Sequence, residues 1–171
     1  MKNEQFDVDA AAQKVRALIR SQRFIEAIEL SEHNVASWPM SIRDQAWHDL
    51  AYTLWCAGRK QDAIAAMTAV IELNSRYAGH RYSRAHWALE LRDFRTTVED
   101  CAVLLEIEKA RQSEAFVDAA YVLRAFALAQ TGAKEEARSD LAAVRGCGPF
   151  HIWRRDWTKA ELLDLTQSDQ K

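Results

Sequence analysis

Apolar residues return every three or four positions through four segments of this chain: "VRALIRSQRFIEAIEL", "LAYTLWCAGRKQDAIAAM", "RAHWALELRDFRTTVEDC" and "RAFALAQTGAKEEARSDL". That spacing gathers the apolar positions into a stripe on an α-helix, because residues three and four apart are surface neighbours. In each segment a short polar turn breaks the stripe, which then resumes, so each predicts a helix, a turn and a second helix. The turns centre on Gln22, Gly58, Arg92 and Gly132, separated by 36, 34 and 40 residues. Between Ala46 and Leu73 the pattern holds more than one stripe. Trp47 and Leu50 lie on one face of the first helix, Tyr52 and Trp55 on another. A helix packed on one side needs a single apolar stripe, so the second implies another neighbour or a ligand.

Local signals mark the ends of the segments. Pro39, then Ser41 with Asp44 three residues on, predict a stop followed by a capping box that opens the second helix pair. Ser113 is expected to cap the first helix of the fourth pair, and the extra residues around "EKARQS" predict a longer loop or an added helical turn. After Arg145 the stretch "GCGPF" holds two of the five glycines and one of the two prolines, which marks a boundary. Beyond it, "HIWRRDWTKAELLDL" predicts an aromatic segment and a short helix with Thr158 and Glu161 as its capping box.

The 34-residue separation is the period of tetratricopeptide (TPR) repeats, and the middle of the chain resembles that family in its residues. The W-x2-L-G-x2-Y pattern appears as Trp47, Leu50, Ala51 and Leu54, followed by Gly58 in the turn and then Ala63, Met67 and Val70. In the next repeat Ala85 takes the small position and Phe94 follows the turn; in the last, Ala125, Gly132, Ala137 and Leu141 match. The first repeat departs most, keeping Leu18, Phe24 and Ala27 with no glycine in its turn. The resemblance implies an all-α, single-domain fold: a right-handed superhelix of about four TPR-like repeats, at about 8–40, 41–75, 76–111 and 113–145. Residues 146–171 would follow as a C-terminal loop and short capping helix. Such arrays need an atypical end to cover the last apolar face, and Trp153 and Trp157 are expected there, a partner-facing role being the alternative.

The first helix of each repeat lines the concave side of such an array. Carried onto this chain, the inner positions include Arg16, Ile19 and Arg20; His48, Tyr52, Trp55 and Cys56; Tyr82, His86, Leu89 and Glu90; and Val122, Phe126, Ala129 and Gln130. Of these, Arg16, Arg20, His48, Tyr52, Trp55, Tyr82, His86, Glu90, Phe126 and Gln130 are the expected partner-binding set. Aromatic rings among Arg, His and Glu make interface anchors; the competing reading is that they fill a tightly wound array or meet a second copy. TPR proteins that grip a C-terminal carboxylate use Asn and Lys at inner positions, and Tyr52, His86 and Phe126 stand there instead, so that clamp is absent.

Composition narrows the function classes. A hydrophobic share of 49% against 28% charged residues excludes wholesale disorder, and only 5 Gly and 2 Pro favour helices throughout. The net charge of −2, without long runs of one sign, gives no footprint for nucleic acid or an anionic membrane. No stretch approaches eighteen unbroken apolar residues, and "MKNEQFDVDAAAQKV" has no apolar core after its lysine, so neither a membrane span nor a signal peptide is expected. Cys56, Cys101 and Cys147, odd in number and widely spaced, fit reduced thiols in a cytoplasmic protein. There is no Gly-rich phosphate loop, no G-x-S-x-G and no H-E-x-x-H. Cys147 and His151 have ligand-like spacing but no second pair, and Cys56 near His48 or His86 is raw material for a thiol nucleophile with nothing else to support it. The expectation is therefore a non-enzymatic protein-binding module without metal or cofactor, monomeric or homodimeric. Its partner is expected to be a protein, such as a toxin or secreted effector, with an immunity-type inhibitor of a bacterial toxin as the leading form. A regulatory scaffold or secretion chaperone is the alternative.

Overall fold

In a computed structural model, which describes residues 7–146, 149–152 and 155–167, the chain forms two compact units, 1–75 and 76–171. The boundary falls between the second and third helix pairs, where the sequence led us to expect one continuous domain. In the first unit α1 (Val8–Arg20) pairs with α2 (Phe24–Ser37), and α3 (Arg43–Cys56) pairs with α4 (Lys60–Leu73). A short 3-10 turn, Met40–Ile42, leads into α3. In the second unit α5 (Ala78–Glu90) pairs with α6 (Phe94–Arg111), and α7 (Val117–Gln130) with α8 (Lys134–Ala143). Strands β1 (Phe150–Ile152) and β2 (Arg155–Trp157) and helix α9 (Lys159–Gln167) complete it.

Every helix-pair turn has the same backbone. Gln22, Gly58, Arg92 and Gly132 adopt left-handed φ values of 58°, 81°, 61° and 86°. Each donates its N–H to the carbonyl three residues back: to Ile19, Trp55, Leu89 and Ala129 respectively. The following N–H groups, of Arg23, Arg59, Asp93 and Ala133, reach the carbonyls of Leu18, Leu54, Ala88 and Leu128 at 2.9 Å. This is the Schellman closure, which satisfies the last carbonyls of the first helix and reverses the chain. Glycine adopts the left-handed conformation without strain, whereas Gln22 and Arg92 hold it at a steric cost.

Small side chains fill the crossing within each pair. Ala27, Ala51, Ala63, Ala85 and Ala137 are fully buried and Ala125 nearly so. The third pair puts Thr97 in the second-helix position, and its hydroxyl is shared between the carbonyls of Ala85 at 3.2 Å and Asp93 at 3.0 Å. The TPR-like core positions follow suit, with Leu50, Leu54, Met67, Val70, Cys101, Leu104 and Leu141 all buried. One place is filled in two ways. In the second pair Leu50 and Ala66 occupy it; in the third and fourth pairs the same places hold Arg84 with Asp100 and Arg124 with Asp140. Arg84 grips Asp100 through two bonds, of 2.7 and 2.8 Å, and Arg81 adds a third at 2.9 Å. Arg124 binds Asp140 at 2.7 and 2.6 Å.

Two expected caps are replaced by tertiary bonds. Ser41 lies inside the 3-10 turn and Ile42, with no side-chain cap, precedes α3. Asp44 instead accepts from Gln45 N–H at 3.0 Å and from the Asn74 amide at 2.8 Å, tying the start of α3 to the end of α4. Ser113 does not cap α7 either, since Phe116 stands at that position. Its hydroxyl donates to the buried Glu108 carboxylate at 2.9 Å, which also accepts from Phe116 N–H at 3.2 Å. The extra residues here lengthen α6 to 18 residues, before a left-handed Gln112 closes it.

The C-terminal segment covers the second unit, but as more than a loop and a helix. Phe150 to Ile152 pairs antiparallel with Arg155 to Trp157, so a β-hairpin stands where an irregular aromatic segment was expected. Ile152 and Leu162 are buried in the core of this unit with Phe126, Leu141 and Val144. The capping box of α9 forms as expected. Glu161 accepts from Thr158 N–H at 2.7 Å, and Thr158 accepts from Glu161 N–H at 3.2 Å. Trp153 lies outside the described residues.

Two outcomes follow. Gln22→Gly is expected to stabilise the protein by about 0.5–1 kcal/mol and Gly132→Ala to destabilise it by about 1 kcal/mol, because only backbone strain changes and a Cβ at Gly132 meets nothing within 4 Å. Urea midpoints read both. Ala51→Leu and Ala85→Leu should each cost about 1–3 kcal/mol by overpacking a closed crossing, seen as lowered thermal midpoints.

Candidate functional site

In the first unit α1 presents Arg16, Ile19 and Arg20 on one face, at spacings of three and four residues. α3 presents His48, Asp49 and Tyr52 opposite. Together these six side chains line a concave site of about 420 Å³. Four of them, Arg16, Arg20, His48 and Tyr52, belong to the expected partner-binding set. Tyr52 is 44% exposed, unusual for a large ring, and Arg16 and Arg20 are both exposed. Among the described residues neither guanidinium has a carboxylate within ion-pair distance.

The floor of the site is electrostatically tense. Burial pushes the His48 imidazole below its ordinary range, against the pull of Asp49; the charge of Arg16 lowers it further and Asp44 draws it up. Burial raises the Asp49 carboxyl, with His48 and Arg16 pulling it down. A hydrogen bond with Cys56, and that thiol's charge, raise the Tyr52 phenol, with partial burial adding to the effect. Asp49 was not among the expected residues. Nothing in the repeat pattern marks it, although a carboxylate beside an inner-face histidine was there to be read. Trp55 does not line this site. It is half-buried, with Lys60 Nζ 3.3 Å from its ring centroid, a cation–π contact that shields the face expected to meet a partner.

Two of the expected inner positions of the second unit, His86 and Phe126, meet its own tail. Phe126, expected on an open surface, is only 2% exposed. The Trp157 indole meets it edge-to-face, with centroids 5.4 Å apart. Trp157 is held in turn by its Nε1–H donating to the Ile152 carbonyl at 3.1 Å and by Arg155 stacked 3.4 Å over the ring. Tyr82 packs between His86 and Phe116, at centroid distances of 6.2 and 5.3 Å. Burial lowers the His86 imidazole, while Glu90 and a hydrogen bond that the imidazole donates to the His151 main chain raise it and the His151 ring lowers it. Glu90 and Gln130 are half-buried. The hairpin thus removes Phe126 from the accessible set. Its aromatic and β-branched positions, Phe150, Ile152 and Trp157, were the available signal.

Chemistry of other kinds finds little to build on. Burial pushes the Cys101 thiol up to about 12, too high to supply a thiolate nucleophile. Cys147 lies outside the described residues. Among the described residues no three of His, Cys, Asp and Glu converge as metal ligands, and no helix is long and apolar enough to cross a membrane.

Comparison with known proteins identifies the fold. No family model and no curated protein matches the chain. Solved structures do. A Podosopora anserina putative kinesin light chain with nearly identical TPR-like repeats aligns over 80% of this chain and 72% of its own, with TM-score 0.67 and 19% identity. MamA aligns over 81% and 77%, with TM-score 0.64 and 19% identity. A tetratricopeptide repeat protein from Parabacteroides merdae aligns over 79% of this chain and 51% of its own, with TM-score 0.65 and 17% identity. The chain therefore has the TPR-like helical-repeat fold.

The lowered histidines set a pH dependence. The native state binds protons at His48 and His86 less tightly than the unfolded chain, whose imidazoles titrate near 6.5. On acidification the unfolded state takes up more protons, so stability falls as pH drops through about 6.5. Asp49, raised in the native state, acts with the opposite sign at more acid pH. Urea midpoints at about pH 7.5 and 5.5 should differ, and the double variant His48→Gln, His86→Gln should narrow the difference.

Proposed function

We propose that this chain is a non-enzymatic protein-interaction module, and that it takes a segment of a protein partner in the concave site of its first unit. One observation carries the reading: Arg16, Arg20, His48 and Tyr52 converge on an open site, with a half-exposed phenol and two guanidiniums that have no carboxylate partner among the described residues. A surface that serves folding alone gains little from an exposed tyrosine beside two guanidiniums that close no ion pair. A binding surface gains more, because a rigid ring with a polar tip anchors well once desolvated. The TPR-like fold supports the reading by analogy only.

The finer reading is an immunity-type inhibitor that neutralises a bacterial toxin by occupying it, acting in the cytoplasm. Its support is economy: a small helical unit with an open concave site acts on a partner by covering part of it. The experiment is affinity capture from the source cell with the wild-type chain and with Tyr52→Ala as bait, followed by identification of proteins lost with the variant. A toxic enzyme silenced by the wild-type chain supports inhibition. A secreted substrate kept unfolded or soluble by the chain would replace inhibition with chaperoning. Identical captures by both baits would count against the site.

Tyr52→Ala is expected to weaken partner binding about thirty-fold, or ~2 kcal/mol, and to move the thermal midpoint little, since the ring is half-exposed. Phe126→Ala should do the reverse. Its ring is packed under Trp157, so its loss should cost about 3–5 kcal/mol of stability with affinity intact in the folded fraction. Calorimetric titration and thermal melts on the two variants separate these outcomes.

A further inference from the structure

The geometry points to an acidic segment of a partner protein as the occupant of the first unit's site, gripped by Arg16 and Arg20 and aligned by Asp49. This rests on the function proposed above and specifies the chemistry of the partner.

Charge complementarity carries it. Most arginines in the described structure sit against a carboxylate: Arg23 on Glu26, Arg59 on Asp62, Arg84 on Asp100, Arg95 on Glu99, Arg124 on Asp140. Arg16 and Arg20 depart from that habit among the described residues, and they do so at a concave site that gathers expected inner positions. They lie one helical turn apart on α1, so both guanidiniums address the same side of the site. The acidic residues of α1, Asp7 and Asp9, are at its far end, where Asp7 caps the helix through Ala10 N–H at 2.9 Å. Planar guanidiniums on an open wall suit carboxylates, which they bind through paired N–H donors.

The opposite wall adds a second requirement. Asp49 is partly buried beside His48, and its position offers an acceptor to whatever enters. A ligand that satisfies both walls carries carboxylates on one edge and N–H or O–H donors on the other. An extended Asp- or Glu-rich segment does this with its side chains and its main-chain amides, while its aliphatic stems rest on Ile19 and the Tyr52 ring. A phosphate or another purely anionic group would face Asp49 with no donor. A basic segment would meet two like charges.

The test is selection of random dodecapeptides displayed on mRNA against the full chain, with winners measured by fluorescence anisotropy. Acidic peptides should be enriched, and the double variant Arg16→Gln, Arg20→Gln should lose at least about ten-fold in affinity for them. Asp49→Asn should weaken them more modestly, and wild-type affinity should fall as salt rises from about 0.05 to 0.5 M. Thermal midpoints of the arginine variant should match wild type, because both side chains are exposed. Enrichment of neutral or basic peptides that compete at Tyr52 would overturn the acidic assignment and leave the binding function standing. No enriched peptide at all would overturn both. Displacement of the acidic peptides by free glutamate at equal carboxylate concentration would replace the protein segment with a small anionic ligand. Self-association abolished by the arginine variant would give the site to a second copy of the chain.

Discussion

A single residue held in the left-handed conformation reverses the chain between the two helices of every pair, and the rest of the architecture depends on it. With Gln22, Gly58, Arg92 and Gly132 in that state, the last carbonyls of each first helix find their partners within the turn. The second helix then leaves at a fixed angle, and small side chains, alanine at most positions with Val15 and Thr97 as the exceptions, fill the place where it crosses the first. Once the crossing is set, so is the face that each first helix turns away from its partner. Position six residues before the turn belongs to that face in every pair: Arg16, Tyr52, His86 and Phe126. The placing of the candidate surface is thus a by-product of turn chirality.

The two units then treat equivalent positions in opposite ways. The first leaves Arg16 and Tyr52 in an open site. The second lays a hairpin on its own inner face, seating Trp157 on Phe126 and bringing His151 to His86. Repeat chains must shield the apolar end of the stack. Here the shield extends inward over α7, so the inner face of this unit contributes to the core. Near-equivalent pairs thus differ in what they expose: Tyr52 stays open, while its counterpart Phe126 is packed under the tail.

What the sequence revealed followed the range of the interactions involved. The four turns were legible at Gln22, Gly58, Arg92 and Gly132 because the break in the apolar stripe is local, and glycine marks two of them. The crossings were legible because Ala51, Ala63, Ala85 and Ala137 recur in register. Caps were read correctly only where nothing distant competed. Thr158 and Glu161 cap α9, but Asp44 is claimed by Asn74 and Ser113 by Glu108. Arg16, Arg20, His48 and Tyr52 were placed together by register alone. The burial of Phe126 was not legible, because it depends on a hairpin with no marked turn sequence folding back onto a helix about thirty residues earlier. The shielding of Trp55 by Lys60 likewise turns on one side-chain rotamer, which no repeat pattern encodes.

The substitution of Leu50 and Ala66 by Arg84 with Asp100, and by Arg124 with Asp140, gives the two units different responses to temperature. Apolar contacts weaken on cooling, because their driving force near room temperature is the release of ordered water. Buried ion pairs behave otherwise: the cost of stripping water from charges falls as temperature rises, so a sealed carboxylate such as Asp100 is held to better advantage when warm. The first unit, whose second pair is closed by hydrocarbon at that place, is therefore the one more exposed to loss of order in the cold. The second carries its reserve at the hot end of the range. The unit that holds the candidate site is thus the one whose packing, at Leu50 beside Asp49 on the same helix, loses most on chilling.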